Sequence, residues 1–262
     1  MSFKKRFRTG QGNWTSFDEY RRQQSAWADE LIKYTGVDKH LIMKFMQYAQ
    51  ALPAPEKPDV IGEQLFKAQM GYRFGITSRF HLQCMYEAAR RRCVSGVMRV
   101  QDYVKLLCMF HSTNLDIKID FVFSVYDINN DGVLEYRELY QLLGTAVMQL
   151  DDDSQCGDSV KELIEIALQM VDNNRDGRIS LEEYRDYVKD NILFIQLFGQ
   201  VLPGDYELQE FVTILEKMSD THLKDYFQDE RRRCLNTPLL KNKTDLNMRS
   251  LYSINLDLSD IL

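Results

Sequence analysis

Apolar residues recur at three- and four-residue spacing through most of the chain. Ile119, Val122, Phe123 and Tyr126 form one stripe, and Leu139, Leu142 and Leu143 form the next. Val160, Leu163, Ile164, Ala167, Leu168 and Val171 make a third, followed by Tyr184, Tyr187 and Val188. A period near 3.6 places each set on one face of a helix, so these segments predict four amphipathic helices. Upstream, Leu41–Ala51 and Phe66–Arg73 read as two more, separated by Pro53, Pro55 and Pro58. Ile192–Phe198 is apolar on nearly every side, which predicts burial, either as core or as a built-in occupant of an apolar groove. Leu202-Pro203-Gly204 then breaks the chain, and a further helix is expected from Tyr206 to about Met218. With only 5 prolines and 13 glycines in 262 residues, the chain reads as all-α.

The helices flank two polar loops with the same internal spacing. Asp127, Asn129, Asp131, Glu135 and Glu138 occupy positions 1, 3, 5, 9 and 12 of the first, with Gly132 at 6. Asp172, Asn174, Asp176, Ser180 and Glu183 occupy the same positions of the second, with Gly177 at 6. A hard divalent cation takes six to eight oxygens at roughly 2.3–2.6 Å, and this is the calcium loop of an EF-hand. The backbone carbonyls of Val133 and Arg178 supply position 7, so the Arg178 side chain is free to point into solvent. Glu138 and Glu183 each offer two oxygens, which favours calcium over octahedral magnesium. Two calcium ions are expected. The first loop, with four acids against three, is expected to bind more tightly or to hold magnesium at rest. Leu134 and Ile179 stand at position 8, where paired loops join through a short β-bridge. The fold class is thus EF-hand helix-loop-helix pairs with short β-bridges between paired loops.

Arg91–Asp102 has the same skeleton without the chemistry: Gly96 at position 6, Met98 at 8 and Asp102 at 12, but Arg91, Cys93 and Arg99 where oxygens belong. It reads as a structural hand that takes no calcium, and the proline-linked helices before it read as a fourth, ligand-free hand. The expected organisation is a basic N-terminal arm over 1–30 and a degenerate EF-hand region over 31–110. A calcium-binding pair follows over 111–200, then a C-terminal helix and tail over 201–262.

Charge follows the same division. Residues 1–100 carry 17 Lys/Arg and 9 Asp/Glu, residues 101–200 carry 8 and 19, and residues 201–262 carry 8 and 11, so the net -6 conceals an acidic middle. Asp151-Asp152-Asp153 lies between the two competent hands and reads as a solvated linker, with a third ion site as the alternative. The arm Phe3–Arg8 reads either as a solvated end or as a contact for an acidic surface such as a microtubule, an anionic lipid or a nucleic acid. The run Arg90–Arg92 allows the same two readings. Neither has a nucleic-acid motif beside it, so no nucleic-acid partner is expected. The end of the tail, Leu251–Leu258, reads as disordered or as a short docking segment. No apolar run reaches the roughly 18 residues of a membrane span. Five scattered cysteines without metal-ligand spacing point to reduced thiols in the cytoplasm. No phosphate loop, nucleophile elbow or His-Glu-x-x-His motif is present, so the chain is expected to be noncatalytic.

The order of a degenerate hand, an Asp-Ile-Asn-Asn-Asp-Gly hand, an acidic linker, an Asp-Asn-Asn-Arg-Asp-Gly hand and then Phe194–Pro203 resembles the calaxin family, calcium sensors of axonemal outer-arm dynein. The resemblance spans roughly residues 72–211, and the broader layout is shared with calcineurin B-like and neuronal calcium sensor proteins. It implies residence in the cytoskeleton of a cilium or flagellum. It also implies contact with dynein heavy chain, a docking-complex coiled coil or tubulin, and calcium-dependent control of beating. Two other readings stay open: a calcineurin B-like regulatory subunit of a phosphatase, kinase or ion transporter, and a structural axonemal docking protein that holds calcium as a fixed structural ion.

Overall fold

The computed structural model describes residues 6–8, 14–147, 156–217 and 227–229. Two short strands, β1 (Arg6–Arg8) and β2 (Trp14–Ser16), pair antiparallel and lead into α1 (Phe17–Thr35), which runs across residue 30. Then come α2 (Lys39–Ala51) and α3 (Glu63–Phe74), followed by α4 (Arg79–Arg91) and α5 (Val100–His111). The downstream half has α6 (Leu115–Tyr126), β3 (Val133–Glu135), α7 (Tyr136–Val147), α8 (Cys156–Val171), β4 (Arg178–Ser180) and α9 (Leu181–Asp190). A 3-10 turn over Ile192–Gln196 and α10 (Asp205–Lys217) complete the described order. The fold is all-α with EF-hand pairing. The expectations placed on residues 1–5, the Asp151–Asp153 linker, Arg231–Arg233 and the Leu251–Leu258 tail lie outside the described residues.

Helix ends follow local chemistry. Asp38, Ser78 and Asn114 cap α2, α4 and α6 with side-chain oxygens that accept from backbone N–H groups two or three residues on. Ser180 and Glu183 close a reciprocal capping box at the start of α9.

The halves are built alike. In the downstream half Leu134 pairs with Ile179 across β3 and β4, and both side chains are fully buried. Upstream, Val60 bridges Arg99, while the Ile61 N–H donates to the Met98 carbonyl and the Val100 N–H to that of Asp59. Ile61 and Met98 are buried there as Leu134 and Ile179 are below. Asp59 and Arg99 form an ion pair at 2.8 Å on the same contact.

Residues after α9 strap the halves together. The Phe198 ring is buried edge-on to Tyr126 of α6, and its carbonyl accepts from His81 Nε2 of α4 at 2.9 Å. The Tyr126 hydroxyl donates to the Gly199 carbonyl at 2.7 Å. Gly199 has φ +127, and a Cβ there would lie 2.2 Å from His81 Nε2, so only glycine fits. Phe211 of α10 is buried in the upstream half, stacked on Phe45 at 5.8 Å and edge-on to Tyr48 and Phe74. Phe227 packs on the other side of Tyr48 at 4.6 Å. The Ile192–Phe198 run is not uniformly buried as its composition suggested: Ile192 is 59% and Leu193 76% exposed, and burial is completed only at Phe198. The 3-10 winding turns the first two residues outward while the Ile195 carbonyl accepts from the Tyr184 hydroxyl.

Candidate metal centre

The first loop begins where α6 runs out of hydrogen-bond partners. The Asp127 N–H closes the last helical bond to the Phe123 carbonyl, and Asn130 (φ +61) and Gly132 (φ +88) then turn the chain in the left-handed region. The turn brings backbone N–H groups onto the acids. Asp127 Oδ1 accepts from Asp131 N–H at 3.1 Å and Oδ2 from Gly132 N–H at 3.0 Å. Asn129 Oδ1 accepts from Asp131 N–H, and Asp131 Oδ1 from Val133 N–H. Glu138, in the first turn of α7, reaches back: its Oε1 accepts from Ile128 and Asn129 N–H, and its Oε2 from Glu135 N–H at 3.0 Å.

Asp127 and Glu138 are 6% and 5% exposed, and together with Asp131 they place oxygens within 4.8 Å of one another. Gathering near-buried carboxylates so closely is electrostatically unfavourable without a counter-charge. An oxygen-only donor set around a loop of this size therefore fits a hard divalent cation. Asp127, Asn129, Asp131 and Glu138 would hold it with the Val133 carbonyl, and Glu135 stands at the remaining position.

The second loop repeats the turn, with Arg175 (φ +59) and Gly177 (φ +80) at the left-handed positions. Asp172, 7% exposed, accepts from Asp176 and Gly177 N–H groups. Asn174 Oδ1 accepts from Asp176 N–H, and Asp176 Oδ1 from Arg178 N–H. Glu183 Oε1 accepts from Asn174 N–H, while its Oε2 takes both the Ser180 N–H (2.9 Å) and hydroxyl (2.7 Å). Partial burial opposes ionisation of Glu183, but those hydrogen bonds outweigh it and hold its pKa below the usual carboxylate value. Among the described residues, the close grouping of three carboxylates belongs to the first loop alone.

Two arrangements go beyond the twelve-residue pattern. Arg178 does not simply point into solvent: it faces Glu135 across the antiparallel contact, with Nη2 3.5 Å from Oε1. Position 7 of one loop meets position 9 of the other once the bridge is drawn, and the sequence already held that signal. Arg91, at the first position of the ligand-free hand, donates through Nη2 to the carbonyls of Ser124 (2.9 Å) and Asp127 (3.1 Å). Arg92 likewise donates to the Asp120 carbonyl and stacks over Phe121. The basic run thus caps the C-terminal end of α6, where the helix dipole is negative.

A protein-family model for an EF-hand domain pair matches residues 116–189. The chain is 32% identical over 108 residues to calaxin of Danio rerio, covering 41% of this chain and 51% of that protein. It is 28% identical over 116 residues to calaxin of Homo sapiens, covering 44% and 55%. This is a calaxin-like EF-hand protein. The calaxin-like chain is also 32% identical over 98 residues to calcineurin B of Schizosaccharomyces pombe, covering 36% of this chain and 52% of that protein. It spans about half the length of the curated relatives it matches. The sequence pattern and EF-hand family place calcium binding in this pair. Elsewhere, burial pushes the thiols of Cys84 and Cys93 up to about 11 and that of Cys108 up to about 12, which makes them packing groups and not nucleophiles at neutral pH.

Among the described residues no helix is long and apolar enough to cross a membrane.

Proposed function

We propose that this chain is a noncatalytic calcium sensor of the ciliary or flagellar axoneme. It takes one ion in each competent loop and regulates or docks outer-arm dynein on microtubules. The observation that carries the reading is the convergence of Asp127, Asp131 and Glu138 in a loop already held in shape by its own N–H groups. Similarity to calaxins supports the axonemal setting. Glu138 and Glu183 sit in the first turns of α7 and α9, so drawing both of their oxygens onto calcium moves the helices that leave each loop. Magnesium, which keeps several waters and six ligands, demands less of that glutamate and occupies the first loop at rest without the movement. The partner is a dynein heavy chain, a docking-complex coiled coil or tubulin.

Similarity to a calcineurin B protein supports a second reading, a regulatory subunit of a phosphatase, kinase or ion transporter. The filling of the upstream half by Phe211 supports a third, a structural docking protein with calcium as a fixed ion. Calorimetric calcium titration in millimolar magnesium, with an apolar-surface dye, tests these readings on the intact chain and on Glu138→Gln with Glu183→Gln. Two sites in the 10⁻⁷–10⁻⁵ M range with new dye binding, both lost in the variant, support the sensor. Uptake without dye binding favours the scaffold, and no uptake ends the calcium reading. Capture from ciliary extract then separates dynein and tubulin from a co-purifying catalytic chain.

A further inference from the structure

An open cleft of about 730 Å³ lies outside the ion loops, between α7, the β3–β4 contact and α8. Tyr136 and Tyr140 form its apolar wall, stacked at 6.5 Å with ring planes 21° apart and 44% and 38% exposed. Arg137, Lys161 and Arg178 bring positive charge to it, and Glu135 and Asp176 bring negative charge. We propose that this cleft is a calcium-gated docking site for an acidic protein segment carrying an aromatic or large aliphatic anchor, with Arg178 as the gate.

The inference rests on the calcium reading above, because both acids of the cleft belong to the ion loops. Without an ion, Glu135 holds Arg178 at 3.5 Å across the strand pair, and the cleft's three cations face two carboxylates. An ion in each loop compensates Glu135 and Asp176, so the same surface becomes strongly cationic without any change in its cations. The Arg178 backbone stays on the rim, since its carbonyl belongs to the second loop, while its guanidinium loses its partner. A freed guanidinium presents the planar fork that suits a carboxylate. Lys161 is held only by Asp158, one helical turn back and largely exposed, and such a pair yields readily. Charge complementarity therefore selects an acidic occupant, and the tyrosine wall selects an apolar or aromatic side chain on it.

The test uses the full chain and fluorescence anisotropy of a labelled synthetic peptide of glutamates around one tryptophan, with a glutamine version as control. Calcium uptake is followed separately by calorimetry. Calcium is expected to strengthen binding of the acidic peptide about tenfold or more and to leave the glutamine peptide unbound. Arg178→Gln keeps the carbonyl at loop position 7, so calcium uptake persists while the calcium-dependent gain falls. Tyr140→Ala is expected to take up calcium and bind the peptide weakly. Uptake of calcium with no gain in peptide binding, or equal binding of both peptides, overturns this inference alone; absence of uptake overturns the calcium reading and this one together. A calcium-dependent dimer abolished by Arg178→Gln would give the cleft to a second copy and overturn it. So would peptide binding that emerges only when Asp151, Asp152 and Asp153 are all changed to Asn, since the chain's own linker would then be the occupant.

Discussion

The two helix-loop-helix pairs of this chain meet at their loops through the same kind of contact, yet one loop set gathers carboxylates and the other arginines. Ile61 and Met98 sit at the upstream contact as Leu134 and Ile179 sit at the downstream one, all of them buried. The architecture thus depends on the apolar bridge and the helix stripes, and ion ligands are an addition to it. Where the ligands are gone, Arg91 and Arg92 serve a different end by capping α6, the helix that leads into the first competent loop. The upstream pair is also closed from outside by Phe211. No such helix is seen over the downstream pair among the described residues.

Removing the plug from the upstream pair should have the largest effect. Phe211→Ala is expected to cost about 3–5 kcal/mol, as large-to-small changes at buried aromatics do. Urea unfolding measures it, and if the halves are as separate in role as their loops suggest, calcium affinity in the still-folded variant stays close to wild type. Next, Glu138→Gln should weaken calcium at the first loop about a hundredfold, or about 2.7 kcal/mol, while the second loop keeps its ion; calorimetry resolves the two, and equal loss at both would mean the bridge couples them tightly.

Acid should act on the upstream pair first. His81 and His111 lie on α4 and α5, and burial lowers both pKa values, offset in part by backbone hydrogen bonds, to Phe198 in the case of His81. Their stabilising contribution is complete above the ordinary histidine value of about 6.5 and is lost as pH falls through the lower folded values, by about 1.4 kcal/mol for each unit a ring is displaced. Residues 115–190 contain no histidine. Urea midpoints at pH 7.5 and 5.5 should therefore differ more in wild type than in His81→Gln, whose amide can still donate to the Phe198 carbonyl. The smallest effect is at Arg91. Its charge beside the first loop repels an incoming cation, so Arg91→Gln should raise first-site affinity about threefold at low salt and less at high salt, while Arg91→Lys leaves it near wild type.

Much of the downstream pair was legible in the sequence because its information is local. Twelve consecutive residues specify the turn, the donors and the backbone N–H groups that orient them, and the flanking stripes specify the helices. The placement of Phe211 was not legible. Its partners Phe45, Tyr48 and Phe74 lie more than a hundred residues earlier, and burial of apolar surface is non-directional, so one buried phenylalanine reads much like another. Ile192 and Leu193 misled for the same reason: hydropathy predicts burial on average, whereas the 3-10 turn and the Tyr184 bond decide which residues of that run face inward.

The closure of the upstream half by Phe211 also has a consequence in time. The ribosome completes α3 at Phe74 and must add 137 more residues before the plug exists, since 211 − 74 = 137. At about 5–20 residues per second this is on the order of ten seconds. Throughout that interval the first-made half displays Phe45, Tyr48 and Phe74 to the cytosol. A nascent chain of this kind is a natural client for holding chaperones, and a message truncated before α10 would yield a product in which the seat of Phe211 stays open.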